Sequence, residues 1–233
     1  MMIHRTIGRF ERFWANDRGL SLFLVTLLVV GFVIYPLERE RVFGDVVVSV
    51  FFSLVLVSGV AAISRRRRDR YAAAAVAMMS LAFRWAGHLA PGKAVFAIGT
   101  VFTALFLAIM VVVVLAQVFR EGPITVHRII GAVAVYLLLG TLWAQVYGLF
   151  ALFVPDAFQT AAGVTVREPD LVYFSYVTLT TVGYGDITAV DPFARSMALL
   201  EALTGQLFPS ILIARLVAME LTSRQGGGET GRF

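Results

Sequence analysis

Cysteine is absent from the 233 residues. That excludes disulfides, thiolate-bound metals and a cysteine nucleophile. Charge is scarce: 15% of residues are Asp, Glu, Lys or Arg, against about 25% in a soluble domain. Lysine is nearly missing, since Lys93 is the only one. The three histidines, His4, His88 and His127, stand too far apart for metal-ligand spacing. What fills the chain instead is apolar: 59% of residues are hydrophobic, and the mean hydropathy is +0.82. Such a chain lacks the polar surface to stay in water and reads as an integral membrane protein. The net charge of +5 is then a topology signal rather than a sign of nucleic-acid binding.

A membrane span needs about 20 mostly apolar residues to cross about 30 Å of hydrocarbon. Six segments satisfy this, near Leu20–Leu37, Val42–Ile63, Tyr71–Leu89, Ala94–Phe119, Ile129–Val154 and Phe193–Leu221. The third is interrupted by Arg84 and His88, which are expected to reach the outer interface beside Trp85. Arginines cluster before the first span (Arg5, Arg9, Arg12, Arg18), between the second and third (Arg65, Arg66, Arg67, Arg68, Arg70) and between the fourth and fifth (Arg120, Arg128). Arg224 and Arg232 follow the sixth. Positive charge stays cytoplasmic, so both termini are expected inside the cell membrane. The run Arg65–Arg68 also suits anionic lipid headgroups. Ile3, Ile7, Phe10 and Trp14 recur at helical spacing and suggest an interfacial helix over residues 3–14. The first apolar run is too long for a signal-peptide core, and no small-residue cleavage pattern follows it.

Between the fifth and sixth spans the pattern changes. A polar loop, Asp156 to Pro169, precedes Asp170–Thr180, which is apolar enough to enter the membrane and too short to cross it. Asp170, after Pro169, is expected as a helix N-cap. A half-length helix must return to the side it came from, with its broken end buried in protein or facing water. The return segment is Thr181-Val182-Gly183-Tyr184-Gly185-Asp186. Backbone carbonyls aimed at one axis can replace the hydration shell of K⁺. That geometry needs neighbouring residues to alternate in handedness, and Gly183 and Gly185 tolerate the left-handed state. Val182 and Tyr184 then point backward, and the Thr181 hydroxyl adds an oxygen at the inner end.

Residues 181–185 resemble, letter for letter, the signature of the potassium-channel superfamily, and Asp186 follows as in many members. The stretch Tyr173–Ile187 is especially similar to prokaryotic single-pore channels and the two-pore-domain group. Gly205, twenty residues after Gly185, occupies the place of the family's inner-helix hinge glycine. The likeness runs from about His127 to Thr222; residues 1–119 carry no family motif. It implies an all-α membrane protein whose six spans, re-entrant pore helix and filter loop form a C4 homotetramer conducting K⁺ passively. K⁺ would sit at Thr181, Val182, Gly183 and Tyr184. The transported ion is the only ligand expected, with no cofactor, no nucleic acid and no enzymatic activity. Residues 1–119 would form the interfacial helix and four spans, 120–222 the pore domain, and 223–233 a cytoplasmic tail.

The resemblance also assigns supporting roles. The filter aspartate of the family bonds a pore-helix tryptophan or glutamate. Here Val177 replaces the glutamate, and Tyr173 and Phe174 replace a tryptophan pair; the Tyr173 hydroxyl is expected to bond Asp186, the alternative being an interfacial aromatic anchor. Glu201, an ionisable group at membrane depth, is expected behind the filter near the hydroxyls of Thr178 and Thr180, as a structural carboxyl. Gln206, Pro209, Ile213 and Val217 would face the cavity, with Gly205 and Pro209 bending the inner helix. Arg215 would snorkel to the cytoplasm. Voltage-gated members carry arginines every third residue in the fourth span, whereas Ala94–Phe119 contains no Arg or Lys. Voltage dependence is therefore expected to be weak. Two other readings are a cation channel of poor selectivity and a non-conducting sensor or accessory subunit.

Overall fold

The computed structural model describes residues 18–29, 45–62, 67–90, 92–120, 125–161, 163 and 166–228. The expected interfacial helix at 3–14, Arg65 and Arg66, the side chains of Arg67 and Arg68, and residues 229–233 lie outside what is described. Among the described residues the elements are α1 (Arg18–Val29), α2 (Asp45–Ala62), α3 (Arg67–Leu89), α4 (Lys93–Val118) and α5 (Val126–Phe153). They continue as β1 (Phe158–Thr160), α6 (Glu168–Leu179), β2 (Ile187–Ala189) and α7 (Pro192–Gly228). Three of these helices are long and apolar enough to cross a membrane: Lys93–Val118, Arg128–Phe153 and Pro192–Met219. They coincide with the fourth, fifth and sixth segments expected from hydropathy.

Helices α1, α2, α3 and α4 follow one another around α5. Each packs on the next, and α1 and α4 both pack on α5. One apolar core joins them, with Phe23, Leu56, Phe106, Leu107, Met110, Val114 and Leu138 all buried. Between helices in lipid it is close van der Waals packing, rather than escape from water, that holds such a core together. Where polar groups enter the packed faces they find partners, as burial requires. Ser80 and Thr103 pair their hydroxyls at 2.6 Å between α3 and α4. Arg84 and His88 both turn to α2: Arg84 Nε donates to Ser49 Oγ at 3.2 Å, and His88 Nε2 lies 3.0 Å from the same oxygen. The Arg84 guanidinium also stands 4.6 Å over the Phe52 ring, a cation–π contact.

A second cluster closes the other end of the molecule. Tyr147, Phe158 and Phe174 meet edge to face, with centroids 5.2–5.3 Å apart. Tyr147 comes from α5, Phe158 from β1 and Phe174 from α6, so three rings tie the loop region to two helices. Strands β1 and β2 pair antiparallel, with Gln159 opposite Thr188. This clip fastens the chain before α6 to the chain just after Asp186.

Candidate pore-lining site

Helix α6 has 12 residues, about 18 Å at 1.5 Å per residue, which falls short of a membrane's apolar thickness. It starts earlier than the sequence suggests. Asp170 is not the N-cap: Arg167 is, and Asp170 sits three residues in, where its Oδ2 accepts from the Arg167 backbone N–H at 2.9 Å. The reason is that Pro169, in the first turn, has no N–H to lose, so the helix begins through the proline rather than after it. A carboxylate in the first turn also complements the positive end of the helix dipole.

The other end of α6 turns sharply. Thr181 N–H donates to the Thr178 carbonyl at 2.9 Å, and the N–H groups of Val182 and Gly183 both reach the Val177 carbonyl, at 3.0 and 3.3 Å. Beyond this turn φ is positive at Thr181 (58°), Gly183 (58°) and Gly185 (78°). Every second residue is thus left-handed. The glycines adopt this state cheaply. Thr181, β-branched, is an outlier there, and its part in the alternation is not legible in the sequence. Residues 180–186 are exposed in the single chain. At the outer end, the Tyr173 hydroxyl donates to Asp186 Oδ2 at 2.8 Å, and Asp186 Oδ1 accepts from the Ile187 N–H. The Asp186 carbonyl accepts from Ala161 N–H at 2.8 Å, next to the β1–β2 clip.

Behind α6 the packing is close on both sides. A Cβ on Gly140 of α5 would lie 2.5 Å from the Tyr176 ring. The Tyr176 hydroxyl donates to the Leu137 carbonyl, and the Tyr136 hydroxyl donates to the Leu179 carbonyl at 3.1 Å. On the opposite flank, a Cβ on Gly205 of α7 would lie 1.7 Å from the Leu179 carbonyl oxygen. Gly205 is therefore a contact glycine, and α6 and α7 touch backbone to backbone at its level.

Glu201 is completely buried. Its partners differ from those expected. Tyr147 donates to Oε2 at 2.5 Å, and Ser175 Oγ lies 2.5 Å from Oε1, while Thr180 Oγ1 bonds the Tyr176 carbonyl within its own helix. The cause is axial register. Ser175 faces Glu201 and Leu179 faces Gly205, a four-residue step on both helices, so α6 and α7 run in the same direction one turn apart. Thr180 lies past the end of that register, at the C-cap of α6. Lower on α7, Ile213 and Val217 are 62% and 54% exposed, Gln206 is exposed and Pro209 half-buried. Arg215 stands over the Phe119 ring at 4.3 Å, which links the lower part of α7 to the C-cap of α4, a contact sequence reasoning missed.

A half-length helix, a return strand of alternating handedness and two flanking helices of membrane-spanning length are parts that an ion channel uses. Residues 133–221 match the family profile described as an ion channel. Over 68 residues the chain is 40% identical to "Two pore potassium channel c" of Oryza sativa subsp. japonica, covering 29% of this chain and 15% of that protein. It is 33% identical over 89 residues to "Protein LctB" of Bacillus caldotenax, covering 38% of this chain and 61% of that one. "Protein LctB" of Geobacillus stearothermophilus is 37% identical over 65 residues, covering 28% and 48%. The chain thus spans less than two thirds of the length of each of these relatives. No solved structure matches. Residues 133–221 thus carry an ion-channel domain similar to that of potassium channels, and the apolar helices mark the chain as a membrane protein.

Proposed function

We propose that the chain is one subunit of a K⁺-selective channel that assembles as a C4 homotetramer and conducts K⁺ passively across the cell membrane. The observation that carries this reading is the left-handed backbone at Thr181, Gly183 and Gly185, on alternate residues. Alternating handedness turns successive carbonyls of Thr181, Val182, Gly183 and Tyr184 to one side, and four such strands around an axis would replace the water shell of K⁺. Thr180, Tyr173, Asp186 and Glu201 support the strand in this reading. The C-terminal end of α6 directs its partial negative charge toward the same place, which favours a cation. One chain supplies one strand, so ring closure requires four copies.

The remaining parts follow the same logic. Six spans with both termini cytoplasmic agree with the arginine distribution, and Arg65–Arg68 would meet anionic lipid. Gln206, Pro209, Ile213 and Val217 would line the cavity below the filter. K⁺ flux through the purified protein in liposomes, with Na⁺ as control, tests the whole reading. Selective K⁺ flux is the expected result. Equal K⁺ and Na⁺ flux would make it a non-selective cation channel, and no flux at all would make it a non-conducting subunit.

Voltage dependence should be weak. Moving one charge through the field contributes about 2.3 kcal/mol per 100 mV, and α4 after Lys93 carries no Arg or Lys to move. Planar-bilayer recordings should show an open probability that rises shallowly, if at all, over the physiological range. A steep curve requiring many gating charges would overturn this.

A further inference from the structure

We propose that Glu201 is the positioning residue that holds the filter in its selective shape, and that it does so as a neutral carboxylic acid. The inference rests on the K⁺-channel reading above and deepens it.

The geometry begins with a count of hydrogens. Ser175 Oγ lies 2.7 Å from the Gly140 carbonyl oxygen and 2.5 Å from Glu201 Oε1. A serine hydroxyl has a single hydrogen and two lone pairs. One hydrogen does not satisfy two acceptors at those distances, so one contact must draw its hydrogen from the other partner. The Gly140 carbonyl has none to give. The Glu201 carboxyl has one if it is protonated. The network then closes in one order: the Tyr147 hydroxyl donates to Glu201 Oε2, Glu201 donates through Oε1 to Ser175, and Ser175 donates to Gly140. Every side-chain polar atom of this three-residue network is then satisfied, as burial demands.

The placement gives the network its consequence. Tyr147 and Gly140 belong to α5, Ser175 to α6 and Glu201 to α7, so one carboxyl group joins all three helices. Glu201 and Gly205 lie one turn apart, as do their counterparts Ser175 and Leu179. Leu179 immediately precedes the Thr180–Thr181 turn into the filter strand. The height of that strand therefore depends on how α6 is held against α7, and the Glu201–Ser175 contact is the polar bond between them. A residue placed this way touches no ion; it acts on selectivity through the pore helix.

Glutamine is the deciding substitution, because it matches the neutral acid in shape. Its amide nitrogen can donate to Ser175 and its oxygen can accept from Tyr147. In liposomes, Glu201→Gln should keep the K⁺/Na⁺ permeability ratio near that of the wild type. Glu201→Ala, which strands the buried Tyr147 hydroxyl and cuts the link from α7 to Ser175, should lower the ratio by about tenfold. Infrared difference spectra should show the carbonyl stretch of a protonated carboxyl in the wild type and its loss in Glu201→Gln. If Glu201→Ala does not assemble, Tyr147→Phe removes one contact to Glu201, Ser175→Ala removes the other together with the bond to Gly140, and both should lower the ratio in the same direction. Three results would each overturn the proposal: a glutamine variant as impaired as alanine, contact-removing variants with unchanged selectivity, or no protonated carboxyl signal. A wild-type protein without selective K⁺ flux would instead sink the channel reading, before any variant is compared.

Discussion

Alanine at Gly183 or Gly185 should abolish K⁺ conduction while leaving assembled protein in the membrane. In the single chain the space around both is open, with nothing within 4 Å of an added Cβ. The cost is therefore one of backbone conformation. At φ of 58° and 78°, a Cβ crowds the following carbonyl at roughly 1–2 kcal/mol per residue. In the proposed fourfold ring the cost recurs in every copy, roughly 4–8 kcal/mol in total by the same figure. Relaxing it means rotating φ back to negative values, which swings the adjoining carbonyl off the axis and removes an oxygen from the column. Assembly is expected to survive, because the packing surfaces of α5 and α7 lie elsewhere. Flux assays on the purified variants check this, with crosslinking as the control for assembly. Normal K⁺-selective flux from either variant would show that this strand does not line the path.

Gly205→Ala should be the most damaging single methyl in α7. Its Cβ would enter the Leu179 carbonyl, at 1.7 Å from the oxygen. A side chain could rotate away, but Leu179 is backbone at the last turn of α6, held also by the Tyr136 hydroxyl. The helices must separate. Overpacking typically costs about 1–3 kcal/mol, occasionally more, and a backbone obstacle places this case at the upper end. Separation would stretch the Glu201–Ser175 contact one turn away and shift the filter strand. The expected outcome is a lower melting temperature and loss of selective conduction together. Wild-type values of both would mean that α6 and α7 do not meet this closely. The contact also removes Gly205→Ala as a clean probe of hinge bending. Pro209→Ala is the better one. Proline leaves the Gly205 carbonyl without its helical partner, and alanine would restore that bond and straighten α7. Open probability should fall, since Ile213 and Val217 would move toward the axis and favour dewetting. Selectivity should not change. Unchanged gating in Pro209→Ala would place the gate elsewhere.

Much of this protein is local in origin and so legible in one dimension. The spans at α4, α5 and α7 follow from hydropathy, because crossing hydrocarbon demands a length of apolar residues regardless of their neighbours. The half-length of α6 is equally visible, bounded by Pro169 and by the glycine-bearing return. The motif Thr181–Gly185 needs no partner to be read, since glycine at alternating positions already announces a backbone most residues resist. The Tyr173–Asp186 pair could be named because both residues flank the same short segment.

What only the tertiary structure decides is the offset between helices. Periodicity gives the face a residue occupies, but not how far one helix slides along another. For that reason Glu201 was assigned the hydroxyls of Thr178 and Thr180, when the register brings it to Ser175 and Tyr147. For the same reason the contact at Gly205 is not legible in one dimension: a missing side chain looks alike whether it permits bending, admits a neighbouring carbonyl or does both. Thr181 carries the opposite lesson. Its residue type argues against a left-handed backbone, yet it takes φ of 58° at the hydrogen-bonded turn where α6 ends and the return strand begins. The sequence by itself determined that a glycine-bearing return strand stands between a half-length helix and an apolar helix long enough to cross a membrane. The fold decided which buried groups hold it there, because hydrogen bonds and backbone contacts depend on three-dimensional distance, which no spacing along one chain specifies.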